Sequence, residues 1–119
     1  MAEELYAGVP YEYSTTAGGL VFAAGACPLD DEGRVVAVGD IEAQAHRALD
    51  NLLAVVGEPG SILKTTVYVA SSDRAELVRA WRVVEARLAP ARPPSTLVGV
   101  SVLGYPDQLF EIEAIARAS

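Results

Sequence analysis

The sequence predicts a small α+β domain in which two helices pack on one face of a mostly antiparallel sheet. Three observations carry this. Two segments repeat apolar residues at helical spacing, several short runs alternate or are rich in β-branched residues, and the order is strands, helix, strand, helix, strands. At 119 residues the chain reads as one domain over 1–119, long enough to bury a core without disulfides or metals.

Taken in order, "ELYAG" (4–8) reads as a short edge strand. "GGLVFAAGACPLD" then predicts a strand over Leu20 to Ala24, entered through Gly18-Gly19 and left through Gly25 and Pro28. A turn at Asp31 to Gly33 and a second run over Arg34 to Val38 predict that these two strands form a hairpin. Asp40 caps a helix whose apolar face is Ile41, Ala45, Ala48, Leu49, Leu52, Leu53 and Val56, stopped by Gly57 and Pro59. His46 falls with Glu42 and Asp50 on the opposite, solvated face.

"KTTVYVA" predicts a strand over Thr65 to Ala70. Asp73 with Glu76 forms a capping box for a helix lined by Leu77, Trp81, Val84 and Leu88 and ended by Pro90. "STLVGVSVLG" is a further strand, "YPDQ" a turn, and "LFEIEAIA" (109–116) the last strand. Alternation there puts Phe110, Ile112, Ala114 and Ala116 on one face, and Glu111 and Glu113 together on the other. Two like charges on one face mean either a solvated outer surface or one carboxylate turned into a cleft to handle a proton or a water.

Composition excludes several functions. Sixteen acids against nine bases give a formal charge of −7, which repels phosphate backbones and argues against nucleic acid as a partner. No apolar run reaches the ~18 residues of a membrane helix. "MAEELYAGVP" lacks the basic start of a targeting peptide, so a cytoplasmic protein is expected. Cys27 and His46 are the only residues of their kinds, which leaves no disulfide, no cysteine zinc cluster and no histidine pair for phosphoryl chemistry. No glycine-rich phosphate loop is present. Cys27 reads as a buried small hydrophobe rather than a nucleophile, with no base or helix N-terminus nearby in sequence to form its thiolate.

"VPYEYSTTAGGLVFAAGACPLD", "DIEAQAHRALDNLLAVV", "ILKTTVYVA" and "FEIEAIA", in this order and spacing, resemble the RidA/YjgF family of reactive intermediate deaminases, also called the endoribonuclease L-PSP family. The resemblance runs from about Val9 to Ala116. It implies a chorismate-mutase-like fold and a homotrimer with small-molecule clefts between subunits. It also implies hydrolysis of enamines and imines such as 2-aminoacrylate to 2-oxo acids and ammonia, with no metal or organic cofactor. Carried over by position, Glu111 matches the water-positioning glutamate, Tyr11 a pocket tyrosine and Gly25 a glycine whose backbone approaches the ligand.

One departure stands out. Deaminating relatives hold the substrate carboxylate with an arginine just before the penultimate strand, a task suited to the planar, two-pronged guanidinium. Here the stretch is "ARPPSTLVGV". If Val98-Gly99-Val100 sets the register, Ser95 replaces that arginine; if the Ser95-Thr96 pair sets it, Pro94 does. Arg92 lies upstream, roughly 7–10 Å along an extended chain. The pocket asparagine of some relatives is also missing, with Val78 or Arg79 near its place.

The chain thus resembles an arginine-lacking branch. The expected function is an enamine or imine deaminase using Glu111, with Tyr11, Gly25, Ser95, Thr96 and Arg92 as substrate-binding candidates and a substrate other than the usual 2-imino acid. The alternative is a non-catalytic trimer that binds a metabolite or a partner. A ribonuclease activity is disfavoured by the acidic balance.

Overall fold

Strand β5 (Phe110–Arg117) organises the molecule, a computed structural model that describes residues 5–118. Its residues alternate as expected: Phe110, Ile112, Ala114 and Ala116 are buried, whereas Glu111, Glu113 and Ile115 are half-buried. β5 runs antiparallel to β2 (Leu20–Ala26) on one side and to β3 (Ile62–Val69) on the other. β1 (Ser14–Ala17) pairs antiparallel with β2, and β4 (Ser95–Gly99) parallel with β3, giving the order β1-β2-β5-β3-β4. A parallel pair needs a crossover, and α2 (Arg74–Leu88) supplies it.

Helix α1 (Ile41–Val56) begins where Asp40 Oδ1 accepts the Ala43 N–H at 3.1 Å and ends where the Gly57 N–H reaches Leu53 O at 2.8 Å. Asp73 caps α2 by accepting the Ala75 N–H. The expected capping box does not close. Glu76 turns to Arg79, which also pairs with Glu42 on α1, and the Asp73 N–H goes to Ser71 Oγ instead. Exposed His46 lies against Arg87, which also bonds Asp50 and so ties α2 to α1.

Both helices cover one face of the sheet, where Leu49, Leu52, Val67, Val69, Val84, Phe110 and Ile112 have no exposed surface. Each such side chain contributes about 1.5–3 kcal/mol, against about 0–1 kcal/mol for an exposed pair such as Arg79–Glu42, so the apolar layer holds the fold. The other face, with Phe22, Ile115, Glu113, Glu111, Tyr68, Thr96 and Val98, carries no helix or further strand among the described residues.

Two strand expectations are corrected. Residues 5–8 form no strand (Glu4 lies outside the described residues), and 34–38 form no hairpin with β2. Only one isolated bridge, Leu29 to Val35, joins that stretch. It is held as a loop by Asp30 Oδ1, which accepts the N–H groups of Glu32 and Arg34. The place beside β2 is taken by β1, through a two-residue turn in which Gly18 (φ 57°) and Gly19 (φ 79°) supply the left-handed backbone a tight hairpin needs.

Candidate functional site

The site starts from an irregularity in β2. Against β5, Ala23 pairs with Ala114 and Ala26 with Ile112, so three steps on one strand meet two on the other. The extra residue is a β-bulge, a device that re-aims side chains at sheet ends. It brings Gly25 against Glu111 so closely that a Cβ at position 25 would lie 2.0 Å from Glu111 Oε2 and 2.7 Å from its Cδ. No larger residue leaves the carboxylate where it is.

The two oxygens of Glu111 differ. Oε1 accepts from Gln108 Nε2 at 3.1 Å and faces Cys27 Sγ at 3.5 Å. Oε2 accepts no hydrogen bond from the described residues and keeps access to solvent. Gln108, only 4 % exposed, also donates to Phe110 O at 3.0 Å and accepts the Tyr105 N–H at 3.1 Å. Burial first, and the neighbouring Glu111 charge second, push the Cys27 thiol up to about 12. At neutral pH it is a protonated donor, not a thiolate nucleophile.

Three buried polar residues of α1 hold the loops around this carboxylate. Asn51 Nδ2 donates to Cys27 O (2.9 Å) and Leu29 O (3.0 Å), and Arg47 Nε donates to Leu29 O (2.8 Å). Gln44 donates to Asp107 O at 3.0 Å and accepts the Leu109 N–H at 2.8 Å. Gln44, Arg47 and Asn51 stand at i, i+3 and i+7, one stripe beside the apolar face. That spacing was the available signal, and a reading confined to apolar residues passes over it.

Tyr11 approaches from the N-terminal segment. Its phenol oxygen lies 3.4 Å from that of Tyr105, and its ring meets Tyr13 edge-on with centroids 6.2 Å apart. Burial, then the Tyr105 contact, raises the Tyr11 phenol above its ordinary range, so it stays a donor. Tyr11, Tyr13, Gly25 and Cys27 share a narrow pocket of about 10 Å³, room for about one water. Among the described residues no three His, Cys, Asp or Glu side chains gather to hold a metal ion, and no helix is long and apolar enough to cross a membrane.

The family model described as endoribonuclease L-PSP matches residues 1–118. The chain belongs to this family, the RidA/YjgF family. A RutC family protein of Pyrococcus abyssi is 32% identical over 111 residues, covering 90% of this chain and 85% of its own. The 3-aminoacrylate deaminase RutC of Acinetobacter baylyi is 30% identical over 110 residues, covering 91% and 86%. Among solved structures, E. coli TdcF with bound serine superposes with a TM-score of 0.83 at 28% identity, over 100% of this chain and 96% of that one. The E. coli YjgF gene product gives 0.81 at 31% identity, over 98% and 93%.

Against the RidA/YjgF pattern, the segment before β4 divides its candidates. Ser95 lies on the helix-covered face, bonded to Thr65 Oγ1 and Pro93 O, so in one chain it is on the opposite side of the sheet from Glu111. Alternation places Val98, Thr96 and Pro94 on the Glu111 face, so Pro94 is the residue that shares the glutamate's side. Thr96 Oγ1 accepts from Lys64 Nζ at 3.1 Å. Arg92 is exposed beside Trp81, Glu85 and Pro93 in an open cavity of about 660 Å³ on the helix side. Within one chain, Glu111, Gly25 and Tyr11 are thus gathered at one end of the sheet, and Arg92 and Ser95 stand apart from them.

Proposed function

We propose that this chain hydrolyses reactive enamines or imines and releases ammonia, with Glu111 positioning the attacking water. The observation that carries the reading is the asymmetry of the carboxylate: Oε1 has donors on it, and Oε2, against Gly25, is left to accept from water. In the reaction, water adds to the carbon of a protonated C=N group while Glu111 takes its proton. The proton returns to the carbinolamine nitrogen, and ammonia leaves as Glu111 takes the hydroxyl proton, so that a carbonyl product remains. The A. baylyi relative, named for 3-aminoacrylate, supports this class of chemistry.

The proposed substrate is not gripped by a guanidinium from the β4 approach, because Pro94 stands on the Glu111 face there. An enamine or imine without a carboxylate, met by the Tyr11 and Tyr105 phenols, fits better. The half-exposed Phe22 and Val98 on the uncovered sheet face support assembly as a homotrimer with its ligand clefts between subunits.

The test is ammonia release from 2-aminoacrylate, 3-aminoacrylate and enamines lacking a carboxylate, by wild type, Glu111→Gln and Glu113→Gln. Turnover falling by about 100-fold or more in Glu111→Gln and by less than about threefold in Glu113→Gln is expected for loss of a general base against loss of a bystander. No turnover on any substrate would instead favour a ligand-binding trimer.

A further inference from the structure

We propose that Gln108 is a positioning residue: its buried amide, with the Cys27 thiol as second donor, fixes the Glu111 carboxylate so that Oε2 alone faces the reacting water. The inference rests on the reading of Glu111 as the water-positioning group.

The orientation of the Gln108 amide follows from its surroundings. Its nitrogen stands between two acceptors, Phe110 O at 3.0 Å and Glu111 Oε1 at 3.1 Å, and its oxygen meets a donor, the Tyr105 N–H, at 3.1 Å. Rotating the amide by half a turn would oppose oxygen to two acceptors and nitrogen to a donor, so only one orientation is tolerated. Such a group, 4 % exposed, has little freedom.

A carboxylate at the end of a glutamate turns readily about its last bond, and either oxygen could then take the proton. The Gln108 amide on Oε1, with the Cys27 thiol sharing its one proton between Oε1 and Gly25 O at 3.5 Å each, restrains that freedom and leaves the Oε2 lone pairs directed to the side that Gly25 keeps open. The same amide is bonded to Tyr105, whose phenol lies 3.4 Å from that of Tyr11, so one side chain couples the base to the tyrosine wall of the pocket. A carboxylate without this clamp would present the water at a spread of angles, and misplacement of about 1 Å costs about 100-fold in rate.

Gln108→Met keeps the volume and removes the donor. Gln108→Glu keeps the acceptor for the Tyr105 N–H and sets a second carboxyl against Glu111. The titratable groups around that pair are Cys27 from the loop after β2, Tyr68 from β3, Glu113 from β5, Tyr105 from the turn, and Tyr11 and Tyr13 from the N-terminal segment.

The experiment is steady-state ammonia release from whichever of 2-aminoacrylate, 3-aminoacrylate and the enamines lacking a carboxylate the wild type turns over fastest, together with a crystal structure of Gln108→Met. The expected result is a kcat lower by about 10- to 100-fold in Gln108→Met with KM within about threefold, and a Glu111 carboxylate turned away from Gly25. Gln108→Glu should be as slow at about pH 7.5 and recover toward about pH 5.5, where the carboxyl pair shares one proton and regains a donor. A purely structural role would not produce that recovery.

A folded Gln108→Met with kcat within about twofold of wild type, or with the carboxylate still seated over Gly25, overturns the proposal. Should that variant not fold, a Gln108→Glu loss that is flat with pH overturns it. Glu111→Gln run alongside separates the two readings. Wild-type rates in that variant overturn the role of Glu111 itself, whereas its inactivity beside an unaffected Gln108→Met overturns the clamp alone.

Discussion

Glu111 and Glu113 sit two residues apart on one face of one strand, yet they occupy different kinds of place. Glu113 lies opposite the β2 bulge in register, between the Ala23–Ala114 and Ala26–Ile112 pairs, but its carboxylate turns to β3, where Oε1 accepts the Tyr68 phenol at 3.1 Å. Glu111 lies just beyond the bulge, yet Gly25 of the bulge stands against its carboxylate, with Gln108 and Cys27 on one oxygen. Alternation along β5 treats the two acids alike. What separates them is the neighbour each carboxylate meets, Gly25 of the β2 bulge for Glu111 and Tyr68 of β3 for Glu113, so the environment of a side chain in a sheet is decided as much by its neighbours as by its own position.

The widest break in this contrast should come from Gly25→Ala. The new Cβ would stand 2.0 Å from Oε2, and the mobile end of Glu111, rather than backbone, must yield. Folding should survive while ammonia release falls by about 100-fold, the expected result of displacing the group that orients the water. Tyr68→Phe removes Glu113's donor on the β3 side, and there activity should stay within about twofold and urea stability within about 1 kcal/mol. Equal losses in the two variants would erase the distinction between the two carboxylates.

A smaller effect is expected from Asn51→Leu, which acts on the loop that carries Cys27. Asn51 is 8 % exposed, and its loss strips one of two donors from Cys27 O, which keeps the Leu29 N–H, and one of two from Leu29 O, which keeps Arg47 Nε. Each lost hydrogen bond costs about 0.5–1.5 kcal/mol, to be read as a lower urea midpoint. Glu113's neighbourhood does not depend on this loop. Loss of stability without loss of activity would show that the bulge holds its shape unaided.

Local signals in the sequence suffice for the helices and the central strand. Asp40, Gly57 and the apolar spacing between them mark α1, and the alternation of Phe110, Ile112, Ala114 and Ala116 marks the buried face of β5. β1 escapes because Ser14–Ala17 is exposed throughout and has no apolar pattern to read. Arg34 to Val38 misleads for the converse reason: its valines look like a strand, but Asp30 and the α1 stripe hold the chain as a loop. At the site, resemblance singles out Glu111, Tyr11 and Gly25, and the structure brings these three together. Gln44, Arg47 and Asn51 stay hidden because their roles consist of bonds to backbone far along the chain, and Gln108 because its bonds, all within three residues, lie in a turn with no periodic pattern to read. Whether Ser95 or Pro94 faces the glutamate depends on a one-residue register, which reverses faces in a sheet.

The smallest effect concerns pH. In the folded chain the Cys27 thiol is pushed up to about 12 from an ordinary value of 9.0, by burial first and by the Glu111 charge second. Above about pH 9 the unfolded chain therefore sheds a proton that the folded chain retains. The stabilising contribution is complete below the ordinary thiol range and is lost as pH climbs toward about 12, so stability should fall with rising pH across that window. The phenols of Tyr11, Tyr13 and Tyr68, also raised, add a slope of the same sign. Cys27→Ala isolates the thiol's share: urea midpoints measured from about pH 8 to about pH 11 should decline less steeply than in wild type. Because Glu111 is the second cause, Glu111→Gln should flatten part of the thiol's share, whereas Glu113→Gln should act on the Tyr68 share, since the Glu113 bond and charge help to raise that phenol. Parallel curves for wild type and Cys27→Ala would mean that the folded protein forms the thiolate as easily as the unfolded chain, and would remove the thiol from the set of donors that distinguishes one carboxylate from the other.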